Sequence, residues 1–355
     1  MDALRDLGWS AFFERQWSDQ DRAAHTPARV VEEHKGVHRL MTERGEVGGE
    51  VPGRMRYLAG GPDDLPAVGD WLAVRARWPE RRATIIRILE RRTKLSRLAA
   101  GAETKEQVLA ANLDTVFLVC GLDGDFNPRR IERYLVLLWE SGARPVLLLN
   151  KADLCSTPEM KVAQARAAAL AVELHVVSAL RGSGLEALRT YLGPGQTVAL
   201  VGSSGAGKST LVNRLAGADL QRIAATRESD DRGRHATTSR TLIVLPDGGL
   251  LIDTPGLREL ALWDGSAGLE QAFEEIERLA QECRFRDCRH RGEPLCAVRR
   301  ALEDGSLDPE RFASYAKLER ERAHAARRRD LRARLDEKRR IKKIHKVFRD
   351  PRWPG

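Results

Sequence analysis

From Asn112 onward the hydrophobic positions come in short, nearly unbroken runs. The segments "DTVFLVC", "RPVLLLN", "LHVVSA", "TVALVG", "TLIVLP" and "GLLIDTPG" are the clearest. Runs this short and this apolar predict strands buried on both faces. Helix-like stretches lie between several of them, at Arg129–Glu140, Pro158–Ala171 and Gly184–Tyr191. Strands alternating with helices predict an α/β fold with a parallel sheet covered on both sides. Ahead of this region, from Val30 to about Arg97, the pattern is different. There "GRMRYLAG", "VGDWLAV" and "RATIIRIL" are separated by Gly and Pro clusters, which predicts a small β-barrel. Residues 1–29 show little periodicity and read as a flexible lead-in, and "RTKLSRLAAGAETKEQ" reads as a polar linker. After about Leu262 the strand-like runs stop. "LEQAFEEIERLAQEC" and "DPERFASYAKLERERAHAARRRDLRARL" predict helices flanking a cysteine-rich knuckle. The expected units are therefore 1–29, a barrel at 30–97, an α/β domain at 98–265 and a helical domain at 266–355.

The ends of the predicted strands carry the chemistry. Gly202, Ser203, Ser204, Gly205, Ala206, Gly207, Lys208 and Ser209 fit G-x-x-x-x-G-K-[ST], with Thr210 opening the helix that follows. Glycines let backbone N–H groups turn toward phosphate oxygens, a lysine bridges the β- and γ-phosphates, and a serine holds Mg²⁺. This motif specifies a nucleoside triphosphate but no base. The base is read from Asn150, Lys151 and Asp153 in "NKAD". A carboxylate accepts from both N1–H and the 2-amino group of guanine, a donor pair that adenine lacks. Ser178 and Ala179, after the next strand, lie where a second base-contacting loop belongs. Asp253 ends a further strand, placed to hold Mg²⁺ through water, and Gly256 offers an N–H to the γ-phosphate. Thr237 or Thr238 is expected to touch the same ion. Leu257 stands where many GTPases have a water-positioning glutamine, and a leucine cannot orient water. His235 is the nearest polar candidate by sequence, with a solvent or RNA contact as the alternative.

Charge and cysteine usage add two partners. Residues 317–355 hold 16 Lys/Arg against 6 Asp/Glu, more than the whole chain's net charge of +9. A smaller basic stretch spans Arg75 to Arg97. Concentrated positive charge points to a polyphosphate such as nucleic acid, with a solvated charged helix as the plainer alternative. Three of the five cysteines crowd into Cys283-x4-Cys288-x-His290-x5-Cys296. Three thiolates and an imidazole match a closed, structural Zn²⁺ site, one ion per chain. No apolar run approaches the roughly 18 residues of a membrane span. The start, "MDALRDLGWS", has no apolar signal core, so a cytoplasmic protein is expected.

The order NKAD, VSA, GSSGAGKS, GRHATT, DTPG and then "CRFRDCRHRGEPLCAV" resembles the ribosome small subunit-dependent GTPase A family. These are circularly permuted GTPases, in which the guanine loop precedes the phosphate loop. The resemblance spans about residues 30–350. It implies an N-terminal OB-type barrel, a permuted P-loop domain and a C-terminal zinc domain. It implies GTP hydrolysis to GDP, stimulated by the 30S subunit and its rRNA, in late small-subunit maturation. It also implies a hydrolytic role for His235. The family reads R-H-T-T where this chain has Ala236 at the first threonine. The alternative is an rRNA-binding assembly factor that uses GTP as a switch with negligible turnover. An ATPase or kinase conflicts with NKAD. A monomer is expected. The permuted order lets the chain leaving Gly256 run directly into the C-terminal domain, so nucleotide state is expected to reposition that domain.

The tail yields the first prediction. Removing residues 330–355 is expected to weaken affinity for the small subunit and flatten its salt dependence, because fewer counterions are released from phosphate. GTP affinity should not change. Binding across a salt series checks this, and an unaltered slope would return the tail to the solvated-helix reading.

Overall fold

The computed structural model describes residues 2–34, 36–98, 106–217, 240–253 and 266–327. His235, Thr237, Thr238, Gly256, Leu257 and the tail beyond residue 327 lie outside these.

Three short helices open the chain, at Asp2–Asp6 (α1), Ala11–Glu14 (α2) and Asp19–Ala24 (α3). The sequence pattern predicts a flexible lead-in here. The structure differs, because its few apolar residues have a partner. Leu4, Leu7, Phe13 and Trp17 pack around the fully buried Trp71. No period shows in so short a segment, but each aromatic finds the same pocket.

Five strands follow: Thr26–His34 (β1), Val37–Thr42 (β2), Gly45–Glu50 (β3), Trp71–Arg77 (β4) and Arg82–Ile88 (β5). They close into a barrel, since β1 pairs with both β2 and β4 while β3 pairs in parallel with β5. Val30, Leu40, Val47, Leu72, Val74 and Ile85 fill it. "GRMRYLAG", expected as a strand, is instead the helix Gly53–Leu58 (α4). None of its residues is fully buried and only Met55 packs against the core, too narrow an apolar face to reward a strand there. A local bond from Arg56 N–H to Pro52 O at 3.2 Å shapes it instead.

The basic stretch is largely consumed within the fold. Arg77 and Arg82 share Glu50, Arg87 pairs with Asp21, Arg91 with Asp70, Arg92 with Asp114 and Lys94 with Glu106. The expected polar linker is a hairpin of Lys94–Leu98 (β6) and Glu106–Ala111 (β7). Val108, Leu109 and Ala110 are buried, so the hairpin has a core face that its charged flanks conceal in the sequence.

The α/β domain carries Thr115–Gly121 (β8), Pro128–Glu140 (α5), Arg144–Asn150 (β9), Pro158–Ala168 (α6), Glu173–Val176 (β10), Thr197–Val201 (β11), Lys208–Ala216 (α7), Arg240–Val244 (β12) and Leu250–Asp253 (β13). The order is β10-β9-β8-β11-β13-β12, parallel except that β12 runs antiparallel to β13. β12 then pairs with β1, which joins this sheet to the barrel. Both faces are covered, which explains the unbroken apolar runs. Val116 and Leu118 enter one core with Ile131 and Leu135 of α5. Phe117 and Val119 enter the other, with Leu211 and Val212 of α7. The expected helix near Gly184–Tyr191 is a 3-10 turn over Glu186–Tyr191.

Four helices end the described chain: Ser266–Ala272 (α8), Glu274–Gln281 (α9), Ala297–Glu303 (α10) and residues 309–327 (α11). They dock on α5. Gly268 permits the approach, since a Cβ there would lie 2.0 Å from the Val136 carbonyl oxygen. The buried Arg311 bonds to Glu132 of α5 at 3.1 Å and to Glu275, and lies over the Phe273 ring. No described helix is long and apolar enough to cross a membrane.

The barrel and the α/β domain meet at Arg29, which is 1% exposed. Its guanidinium donates to Leu7 O, to Gly69 O at 3.2 Å, to Asn112 O at 3.3 Å and to Thr197 Oγ1 at 2.9 Å. Burial pulls its pKa down to about 10, and the Asp114 and Asp70 charges offset part of that. Arg29→Met keeps most of the stem and strands these acceptors. The expected loss is about 3 kcal/mol, read as a lower denaturant midpoint. An unchanged midpoint would show that water replaces the guanidinium at no cost.

Candidate nucleotide and metal sites

Among the described residues the motif loops fall at the carboxyl ends of parallel strands, where open α/β sheets bind ligands. β9 ends on Asn150, β10 leads to Ser178, β11 runs into Gly202 and β13 ends on Asp253. Asn150 is 2% exposed and connects three of these loops. Its Nδ2 donates to Ala206 O of the phosphate loop at 2.9 Å. Its Oδ1 accepts from Ala179 N–H at 2.9 Å. The amide therefore binds protein on both sides, using one of the two N–H donors of Nδ2. Gly207 shows how tight this is. It sits at φ +93°, and a Cβ there would lie 2.3 Å from Asn150 Nδ2.

The chain turns at Lys151, whose φ is +63°, and the turn brings Asp153 beneath the next loop. The Ser178 hydroxyl donates to the Asp153 carboxylate and accepts from Arg181 N–H at 3.1 Å. Ser178 thus orients Asp153. Across the site, Lys208 Nζ donates to Gly202 O at 2.8 Å and to Ser203 O at 2.7 Å, which folds the ammonium along the phosphate loop. Ser209 and Thr210 are exposed at the start of α7, where the helix end favours anions. Burial raises the Asp253 carboxyl above its ordinary range, and the Lys208 charge pulls it back. A carboxylate held at that disadvantage gains from a cation beside it, which fits a role near Mg²⁺.

Two residues of this site escaped the sequence reading. Asp123 receives Lys151 Nζ at 2.5 Å, and that bond holds its carboxyl below the usual carboxylate range. Asp125 pairs with Arg130 of α5 at 2.6 Å and accepts from Ser203 Oγ at 2.7 Å. Lys161 of α6 closes the set through Leu122 O at 2.7 Å and Asp123 O at 3.1 Å. The loop after β8 therefore connects the guanine loop, the phosphate loop and α5. The available signal was position: both acids follow the end of an apolar run, on the edge where the motifs lie.

Cys283, Cys288, His290 and Cys296 converge, with one donor atom from each lying within 4.8 Å of all the others. Cys283 Sγ is 3.8 Å from Cys296 Sγ, and His290 Nδ1 is 3.7 Å and 3.3 Å from these two sulfurs. A Zn–S bond of about 2.3 Å sets tetrahedral S···S edges of about 3.8 Å, so the cluster fits such an ion. His290 takes φ +57°, and Phe312 of α11 packs edge-on against its ring. Among the motif residues, His235, Thr237, Thr238 and Gly256 are not placed, since they lie outside the described residues.

Comparison with known proteins agrees with this geometry. The RsgA GTPase family model matches residues 88–263. The small ribosomal subunit biogenesis GTPase RsgA of Opitutus terrae is 49% identical, with 96% of each chain covered. The protein of the same name from Syntrophotalea carbinolica is 44% identical over 96% of this chain and 95% of its own. Among solved structures, YjeQ from Thermotoga maritima superposes with a TM-score of 0.62 at 24% identity, covering 84% of this chain and 99% of that one. YloQ, a circularly permuted GTPase, gives 0.59 at 23% identity, covering 84% and 96%. These two likenesses establish the fold: a five-stranded barrel, a permuted GTPase domain and a C-terminal Cys3His unit. With relatives this similar over nearly the full length, the chain belongs to the RsgA GTPase family.

Proposed function

We propose that this chain hydrolyses GTP to GDP and phosphate on the small ribosomal subunit, during that subunit's biogenesis. One observation carries the nucleotide half of this reading. Asn150 hydrogen-bonds both the phosphate loop and the Ser178–Ala179 loop, so the motifs form a single site. Family membership makes the chain a GTPase, and the relatives' names supply the ribosomal half.

In this reading Asp153 accepts from guanine, and Ser178 holds it in place. The amides from Ser203 to Lys208 cradle phosphate, and Lys208 offsets charge that develops on the β- and γ-oxygens. Ser209 and Asp253, with Thr237 or Thr238, hold Mg²⁺, which neutralises phosphate charge when bound. Gly256 donates to the γ-phosphate, and His235 orients the attacking water that Leu257 cannot. Barrel, GTPase and C-terminal units divide near residues 97 and 265, in a cytoplasmic monomer. The C-terminal tail meets rRNA phosphate. The direct test is phosphate release from GTP with and without purified small subunits. Subunits are expected to raise turnover by about tenfold or more. Equal rates would leave a nucleotide switch without stimulated hydrolysis.

Zinc held by Cys283, Cys288, His290 and Cys296 is structural, because four protein ligands leave no open position. Elemental analysis is expected to find one zinc per chain, lost in Cys288→Ser. That variant should still bind GTP, since no nucleotide loop among the described residues touches the knuckle, while small-subunit association falls. Full association by metal-free protein would contradict this role.

A further inference from the structure

The Ala179–Leu180 segment is held from two sides. From within, Asn150 Oδ1 takes the Ala179 N–H at 2.9 Å. From without, Arg214 of α7 reaches over to its carbonyls. Arg214 Nε donates to Ala179 O at 3.2 Å, and a terminal nitrogen donates to Leu180 O at 2.5 Å. The loop also closes on itself, Ser178 N–H donating to Ser183 O at 3.0 Å and Gly182 N–H to Ser178 O at 2.7 Å, but the Ala179 and Leu180 carbonyls look outward to Arg214. The Leu180 side chain is 67% exposed and contributes almost no burial. Past it the chain turns through Gly182 and Gly184, both at positive φ. Beside the guanidinium lies a cavity of about 490 Å³, bounded by Gly182, Glu186, Arg189 and Asp247, so on the Arg214 side the loop faces open space, while Ala179 packs inward with Leu185 and Leu211.

The same loop carries Ser178, whose hydroxyl orients the Asp153 carboxylate. A contact on the Ala179 and Leu180 carbonyls therefore acts on Asp153 through one residue. It also starts from the helix that begins at Lys208, so phosphate loop and base loop share a rigid support. We propose that Arg214 is a positioning residue that clamps the base-reading loop to the phosphate-loop helix and so sets how long guanine nucleotide stays bound. The inference rests on the guanine reading of Asp153. An arginine suits the task because its planar fork presents donors to two successive carbonyls at once, whereas a lysine ammonium is a single point donor.

The test uses the full-length protein. Arg214→Met keeps the aliphatic stem and removes both donors, and Arg214→Lys restores one. Release of N-methylanthraniloyl-GDP is followed on chasing with unlabelled GDP, alongside KM and kcat for GTP. Asp153→Asn is measured in parallel. Arg214→Met is expected to speed GDP release about fivefold and raise KM to match, with kcat within about twofold of the parent. Arg214→Lys should recover part of the loss. If Asp153→Asn weakens binding but Arg214→Met releases GDP at the parent rate, the clamp is wrong and the guanine reading stands. If Asp153→Asn leaves nucleotide affinity unchanged, the guanine reading itself fails. A fall in kcat in step with the rise in KM, with lysine no better than methionine, would mean damage to α7 and would also overturn the clamp.

Discussion

The nucleotide site depends on a single carboxamide. Asn150 has one donor group and one acceptor to place, and it is buried, so leaving either unpaired would be costly. It gives the donor to Ala206 O and takes Ala179 N–H on the acceptor, which fixes two loops relative to the strand that carries it. Gly207 is glycine because this amide occupies the space of its Cβ. Lys151, Asp153 and Ser178 are then placed by short local contacts. A site assembled from loops on separate strands becomes one rigid unit because one side chain satisfies backbone groups on two of them.

Arg29 does for the domain junction what Asn150 does for the site. It lies on β1, and its partners belong to the N-terminal helices, the barrel turn, the end of β7 and the first residue of β11. β11 leads directly to the phosphate loop. The pairing of β1 with β12 makes the barrel sheet continuous with the α/β sheet. The barrel is therefore seated on the strands that end in nucleotide motifs, and its placement is tied to theirs.

Connectivity suggests that the C-terminal domain follows the chain out of the second switch, beyond Asp253. Its described contacts lie elsewhere. It rests on α5, through Arg311 to Glu132, Arg129 to Asp308 and Glu310, and Arg133 to Glu321. The N-terminal end of α5 holds Arg130, which pairs with Asp125, which in turn accepts from Ser203. A packed route thus leads from the zinc-bearing domain to the phosphate loop without passing through the covalent connection.

Much of this protein was legible in one dimension. Strands covered on both faces are apolar along most of their length, so β8, β9, β11 and β13 announced themselves, and the described nucleotide motifs sat at strand ends where backbone amides are available. The Cys3His spacing was equally readable, because a metal demands particular ligands within reach of one another. What the sequence could not display were contacts whose partners are distant along the chain. Phe13 and Trp17 looked like part of a flexible segment until Trp71 was beside them. "GRMRYLAG" alternates like a strand, but only Met55 packs against the core. The arginines from Arg77 to Arg92 looked like a free cationic patch, yet Asp21, Glu50, Asp70 and Asp114, from four other segments, pair with them. Asp123, Asp125 and Arg214 carry no motif at all. Local pattern determined which segments become strands and which chemistry they end in, because periodicity and ligand spacing are short-range properties. Tertiary structure alone decided which charges are spent and which loops are clamped, because those depend on what the fold brings within hydrogen-bonding distance.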